Sequence, residues 1–217
     1  MDNDLTYDSS TPYPAEYDIV IDRYGYILQN TKKGNRVFLS EHDGLTYLGN
    51  LGGEIGIDYI YPQLLIKNGG TAKALWNPFK FRKLVKTRGE WDLKNNKRTI
   101  DGLANGTKTR FLYKEDRLES QDVGNHHFGY VSKAYGLFTE EFVLRQAGKY
   151  QIKSGTSKPE WQKNENYDFT LNANPLSAGP IVHFLPPPYG DNPRDQMWIQ
   201  QGFDEYKRTK RNIREQK

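Results

Sequence analysis

The sequence predicts an α+β fold: a small N-terminal β-meander packed on a largely helical core that also carries one or two β-hairpins. Three observations lead there. Near the N-terminus, apolar and polar residues alternate over short stretches separated by Gly- and Asn-containing turns, as half-buried strands do. Further on, apolar residues recur at helical spacing behind residues that favour helix starts. No βαβ unit repeats, so a doubly wound parallel sheet is not expected. At 217 residues the chain can form one large domain, or a domain with an appendage. The boundary is placed after residue 48, with a leader and the meander over 1–48 and the functional domain over 49–217.

The elements follow in order. Residues 1–16 are polar, contain Pro12 and Pro14, and lack periodicity. "YDIVID" alternates, with Ile19 and Ile21 on one face; "YILQN" and "VFLSE" follow after turns at "RYG" and "TKKGNR". These three strands make the meander of 17–41, which is marginal unless it packs on something else. "IDYIYPQLLI" suits a short helix interrupted at Pro62. "NPFKFRKLVKT" begins with a cap at Asn77 and proline at the first helical position, and Phe79, Leu84 and Val85 form its expected inner stripe.

"TRFLYKEDRLES" reads as a hairpin over 109–113 and 118–120. "HHFGYVSKAYG" is helical, with Phe128, Val131 and Tyr135 on one face and Gly136 as its stop. Thr139 caps the next helix, Phe138 and Val143 have staple spacing, and Phe142, Ala147 and Tyr150 form the expected inner face. "YDFTL" and "IVHFL" suggest another hairpin. Asn192, Pro193 and Asp195 begin a last helix with a stripe of Ile199, Phe203 and Tyr206.

Composition excludes several chemistries. The chain has no cysteine, so disulfides, thiolate zinc sites and cysteine nucleophiles are ruled out. No apolar run reaches the length of a transmembrane helix, and "MDNDLTYDSS" is no secretion signal. Phosphate-binding Gly-rich loops, "HExxH", "GxSxG" and EF-hand loops are absent. The C-terminal run "KRTKRNIREQK" holds six cations against Glu215; since the whole chain is +4, residues 1–206 carry −1. Such a tail suits either a polyanion or a solvated helix end.

Four stretches mix titratable groups with special backbone: "GEWDLKNN", "GNHHFGY", "GLFTEEFVLRQAGKYQIKSGTSKPEW" and "YGDNPRDQ". A positioned imidazole is a ready acid or base near neutral pH. Adjacent residues on a helix point about 100° apart, so His126 and His127 cannot share one task, and His127 is expected at the chemistry. The alternative for either ring is a cap or a buried hydrogen bonder. Glu140 and Asp195 sit where helix starts favour acids, whereas Asp191 and the pair Trp91–Asp92 have less structural excuse. Oxygen-rich metal ligation by Asp191 and Asp195 is conceivable, and no cofactor is otherwise implied.

In this order, the four stretches resemble the polymorphic toxin type 44 family, whose members carry "GEWDxKN", "GNHHxGxVxKAxGL", "EExxLRxAGxxQIxxGTSxPEW" and "YGDDPRDQxxIxxGFxxY". The similarity covers roughly residues 89–207, and Asn192 stands where the family often has a second Asp. The resemblance implies an antibacterial payload, often at the end of an Rhs-type delivery protein. It would leave the producer by a signal-independent route such as type VI secretion and act inside a competing bacterium, while a cognate immunity protein shields the producer. "YDIVIDRYGYILQN" is similar to segments that join the Rhs shell to its payload.

The family is described as a ribonuclease, so RNA is the implied substrate. Metal-free RNA cleavage needs a base, an acid and a cation, which His127, Glu141 and Arg145 could supply, with His126 and Asp191 as further catalytic candidates. Trp91, Asp92, Lys94, Asn125, Gln151, Thr156 and Ser157 are the implied substrate contacts. The rival expectation is a cell-envelope hydrolase acting on peptidoglycan or its lipid-linked precursor, which paired carboxylates would suit. A third is a target-binding toxin without enzymatic activity.

Overall fold

A computed structural model describes residues 18–31, 33–162 and 186–215. The leader of 1–16 and the hairpin expected from "YDFTL" and "IVHFL" lie outside the described residues. The α+β expectation holds. Among the described residues, seven strands, β1 (Ile19–Ile21), β2 (Ile27–Asn30), β3 (Arg36–Glu41), β4 (Gly44–Asn50), β5 (Glu54–Gly56), β6 (Arg110–Tyr113) and β7 (Asp116–Leu118), form one mixed sheet in the order β2-β1-β3-β4-β5-β6-β7.

The three N-terminal strands form where the alternation put them, but not in meander order. β1 lies between its two successors, antiparallel to β2 and parallel to β3. The Asp22 carboxylate accepts the backbone N–H groups of Tyr24 and Tyr26 at 2.8 and 2.9 Å, which folds β2 back along one edge of β1. On the other edge, Arg36 makes two hydrogen bonds to the buried Asp18 carboxylate, at 3.1 and 2.7 Å. That fork ties the start of β3 to the start of β1.

β4 and β5 were not anticipated, because "GLTYLGN" and "EIG" are short and carry glycines that blur the alternation. Gly49 is needed there: its φ is +136°, and a Cβ would overlap the Glu54 carbonyl of β5. The expected hairpin forms as β6 and β7 and joins β5 in parallel. The sheet therefore runs unbroken through strands on both sides of residue 48.

Helices follow β5. α1 (Ile60–Ala74) runs through Pro62, which falls in the first turn where an N–H has no helical partner to lose. α2 (Pro78–Val85) is capped as expected, with the Asn77 side chain accepting from Phe79 and Lys80. Its inner stripe differs: Phe81 is buried, whereas Phe79 is 77% exposed. Phe81, Leu84 and Val85 share the inward side at three- and four-residue spacing, and Phe79 falls outside it. Phe81 stacks on Tyr135 with ring centroids 4.3 Å apart and meets Trp91 edge-on at 6.2 Å. Phe81→Ala should cost roughly 3 kcal/mol or more, whereas Phe79→Ala should lie within about 0.5 kcal/mol of the parent; denaturant unfolding of the two variants checks this contrast.

A single turn at Leu93–Asn95 and the short α3 (Ile100–Ala104) lead to the hairpin. α4 (Ser120–Tyr135) begins six residues before the histidines, so the pair sits inside the helix rather than at its start. Its start signal is a capping box, in which Glu119 and Asp122 each bond the other's backbone N–H. Gly136, at φ 76°, ends it as expected.

α5 (Glu140–Lys153) is capped by Thr139, but its inner face is Val143, Leu144 and Gly148. The expected inner residues Phe142 and Tyr150 are 42% and 55% exposed, while Phe138 stacks on Phe142 and also packs against the cluster of Val143, Leu144, Ile199 and Phe203. α6 (Pro193–Glu215) has the expected Asn192 cap, which accepts from the Arg194 N–H at 3.0 Å, and buries Ile199 and Phe203.

α4 and α6 pack at unusually close range. A methyl group at Gly129 would overlap the Ile199 carbonyl oxygen, and one at Gly202 would overlap the His126 carbonyl oxygen. Each helix thus presents a glycine to the other's backbone, and the two histidines lie beside the crossing.

Candidate functional site

The two histidines do point to different environments. His127 is fully buried. Its Nε2 accepts from the Asn68 side-chain amide of α1 at 3.0 Å, and its ring lies edge-on to Trp91. Burial first, and then the neighbouring His126, pushes its pKa down to about 3, against a smaller opposing effect of the Trp91 backbone. His127 is thus a neutral ring inside the core.

His126 is almost as buried, but one edge reaches a cleft of about 400 Å³. Tyr61 of α1 donates to the Val123 carbonyl at 3.1 Å and meets Nδ1 of His126 at 2.9 Å. A carbonyl can only accept. With the phenolic proton assigned to that carbonyl, Nδ1 carries its own proton and donates to Tyr61 Oη. Nε2 is left with a lone pair. Burial holds Tyr61 a phenol, raised well above its usual range. Burial also lowers His126 to about 4; Glu205 opposes this, while Lys114 and Arg208 add to it.

The cleft lies between the β6–β7 hairpin, where Glu115 and Asp116 also line it, and one side of α6; its other residues beside His126 are Tyr113 at the end of β6, Lys114 from the turn, and Trp198, Gln201, Glu205 and Arg208 from the helix. The four helical residues recur at three- and four-residue spacing, which puts them on one face. Lys114 and Arg208 each reach Glu205 at 2.7 Å. Burial pushes the Glu205 carboxyl up, but the hydrogen bonds from these two cations outweigh it and hold the group below its usual range. The Trp198 indole N–H is buried and without a hydrogen-bond partner. None of these residues beside His126 was singled out in the sequence for chemistry. The one available signal was Arg208, which sits in the basic run already noted.

A second polar cluster forms around the start of α6. Asp191 accepts from the Gln196 side chain at 2.5 Å and from the Asn192 backbone at 2.9 Å. Asp195 does not close a capping box with Asn192; it accepts from Gln121 of α4 at 2.7 Å. Burial raises both carboxyls, Asp191 to about 6, and Lys94 pulls both the other way. Lys94 packs on Gly124, and the buried Asn125 amide nitrogen has no partner. Beside them Asp122 takes a two-pronged bond from Arg194 at 2.8 and 2.6 Å. Among the described residues, no three His, Cys, Asp or Glu side chains come together as a metal-binding group.

The remaining candidates serve local structure. Trp91 is buried between Phe81 and His127. Asp92 accepts from the Arg88 backbone and the Asn95 side chain. Gln151 accepts from the Asn192 N–H and Ser157 donates to the Gly190 carbonyl, so both hold the turn that leads into α6. Thr156 bonds Ser154 on an exposed turn. Glu141 and Arg145 pair with each other at 2.7 Å on α5, and Arg145 lies over the Tyr189 ring.

No helix among the described residues is long and apolar enough to cross a membrane. Neither curated proteins nor solved structures give a significant match to the chain. The model of one family, bacterial toxin 44, does match, over residues 80–208. The matched stretch begins in α2 and ends at Arg208, so it takes in both the cleft and the Asp191–Asp195 cluster. Extending over more than half of the sequence, it shows that the chain belongs to the bacterial toxin 44 family.

Proposed function

We propose that the chain is a ribonuclease toxin whose reaction takes place in the cleft at His126. The observation that carries this reading is the shared cleft of a neutral imidazole with a free Nε2 and the guanidinium of Arg208, which opens the basic end of α6. His126 Nε2 takes the proton of a ribose 2′-hydroxyl, and the 2′-oxygen attacks the adjacent phosphorus. Arg208 and Lys114, held side by side by Glu205, take the charge that builds on the phosphate. The P–O5′ bond breaks, and the Lys114 ammonium protonates the leaving oxygen. The products are a 2′,3′-cyclic phosphate and a 5′-hydroxyl.

Beyond Arg208 the same helix carries Lys210, Arg211 and Arg214. This run offers a track for the polyanion along the helix that carries Arg208. As a toxin domain, the chain works with a delivery protein and is neutralised by a cognate immunity protein.

A second reading, hydrolysis of a cell-envelope glycan, is favoured by one observation. Asp191, raised to about 6, lies near Asp195, which burial also raises, and a pair of neighbouring carboxyls is what glycan cleavage uses. Expression directed to each compartment separates the two. Loss of intact RNA and of growth on cytoplasmic expression is the expected result. Toxicity confined to periplasmic expression, with intact RNA, would reject the ribonuclease reading and support the other.

A further inference from the structure

From Tyr59 to Gly89 the chain carries no acidic residue, while it carries seven Lys or Arg. Lys67 is engaged over the rings of Tyr24 and Tyr26. The other six, Lys73, Lys80, Arg82, Lys83, Lys86 and Arg88, are exposed, and none takes part in an ion pair among the described residues. In their midst stand Trp76, 92% exposed, and Phe79, 77% exposed, the two most exposed large apolar side chains among the described residues. On α2, Phe79 lies between Arg82 and Lys83 on the outward side, while Phe81 holds the helix to the core. Folding uses neither Trp76 nor Phe79.

We propose that this face docks the toxin on an anionic lipid surface, with Trp76 and Phe79 entering the interface and the six cations meeting headgroups. Three features favour lipid over an acidic protein. The aromatics protrude, and a fluid headgroup layer needs no matching pocket. Along the stretch 59–89 the charge is of one sign, without the mixed pattern that fixes register against a protein. Four of the six cations are lysines, a residue depleted at protein interfaces but effective at anionic leaflets.

The face also lies apart from the cleft. α2 packs on Tyr135, nine residues along α4 from His126 and therefore about half a turn round the helix. A surface bound at α2 leaves His126 uncovered, so the proposal does not depend on the cleft chemistry.

Sedimentation of the full chain with lipid vesicles tests it. One set is phosphatidylcholine alone; the other adds phosphatidylglycerol in a two-to-one ratio. Binding is expected only to the second, with a blue shift of tryptophan emission and a steep fall as salt rises. Trp76→Ala with Phe79→Ala should abolish the emission shift. Lys80→Gln with Lys83→Gln should weaken binding on the order of tenfold or more. Both positions are exposed, and unchanged melting curves confirm that each double variant folds.

Failure to bind anionic vesicles at low salt would overturn the proposal, as would binding indifferent to both double variants. A single-stranded deoxyoligonucleotide, which has no 2′-hydroxyl to react, serves as the competing probe. If the oligonucleotide binds, the aromatic variant abolishes that binding and the vesicles stay unbound, the face belongs to nucleic acid instead.

Discussion

His126→Gln should lose RNA cleavage by roughly a hundredfold or more, the usual effect of removing a positioned general base, and should lose growth inhibition with it. Glutamine keeps a polar group near Tyr61 but has no imidazole lone pair to offer the cleft. His127→Gln should behave in the opposite way. Its partner Asn68 lies in the core, so the change should lower the melting temperature while the surviving folded fraction cuts RNA at the parent rate. Single-turnover cleavage and thermal melting, measured on both variants, read the two effects separately. Equal cleavage by parent and His126→Gln would remove His126 from the chemistry. A further readout concerns pH. The bare ring titrates at about 4, so cleavage by the free enzyme should not fall through the protonation of His126 until the pH approaches that value.

The second large effect concerns stability against pH. Both histidines have folded pKa values below the unfolded value of about 6.5. Between that value and about 4 the unfolded chain binds the extra protons, so stability is lost as the pH falls through this window. Two buried carboxyls act the other way. Asp101 is raised to about 7 and Asp191 to about 6, in both cases chiefly by burial. Between about 4 and 6 the folded chain holds their protons, so each contributes stability that is lost as the pH rises.

Over that window the four contributions nearly cancel, and the parent should show a shallow profile. Asp191→Asn removes one opposing carboxyl. Its unfolding free energy should fall more steeply on acidification from pH 6 to pH 4, by up to about 1.4 kcal/mol per pH unit relative to the parent. Urea unfolding at several pH values measures the difference in slope. Parallel profiles would mean that Asp191 titrates alike in the folded and unfolded chains.

The sequence disclosed those parts of the molecule that depend on local chemistry. Asn77, Thr139 and Asn192 cap the helices assigned to them because an Asn or Thr side chain meets an unpaired N–H within its own turn. The order of β1, β2 and β3 was not legible. Alternation reports which face a residue takes, but the partner of a strand is fixed by contacts such as Asp18 to Arg36, which no short window contains. The inner faces of α2 and α5 were misread for a related reason. Large aromatics were assigned inward, yet Phe79, Phe142 and Tyr150 are displaced outward by Phe81, Val143 and Leu144.

The candidate site was half legible. The division of labour between the adjacent histidines follows from helical geometry alone. Which ring meets the cleft does not, because it depends on where Tyr61 and Asn68 of a distant helix arrive. Trp198, Glu205 and Arg208 were invisible because helical stripes and basic tails have bland explanations, and only the β6–β7 turn opposite them makes a cleft.

The glycine-to-backbone crossing of α4 and α6 bears on how the toxin fails when heated. One wall of the cleft is α6, and His126 stands beside the point where α6 touches α4. With backbone against backbone, no side chain can rearrange to let one helix slide while the other stays in place. The α6 wall of the cleft therefore has no loosened packing on α4 to pass through. Loss of toxicity and global unfolding should share one midpoint, giving a weapon that is either fully armed or spent.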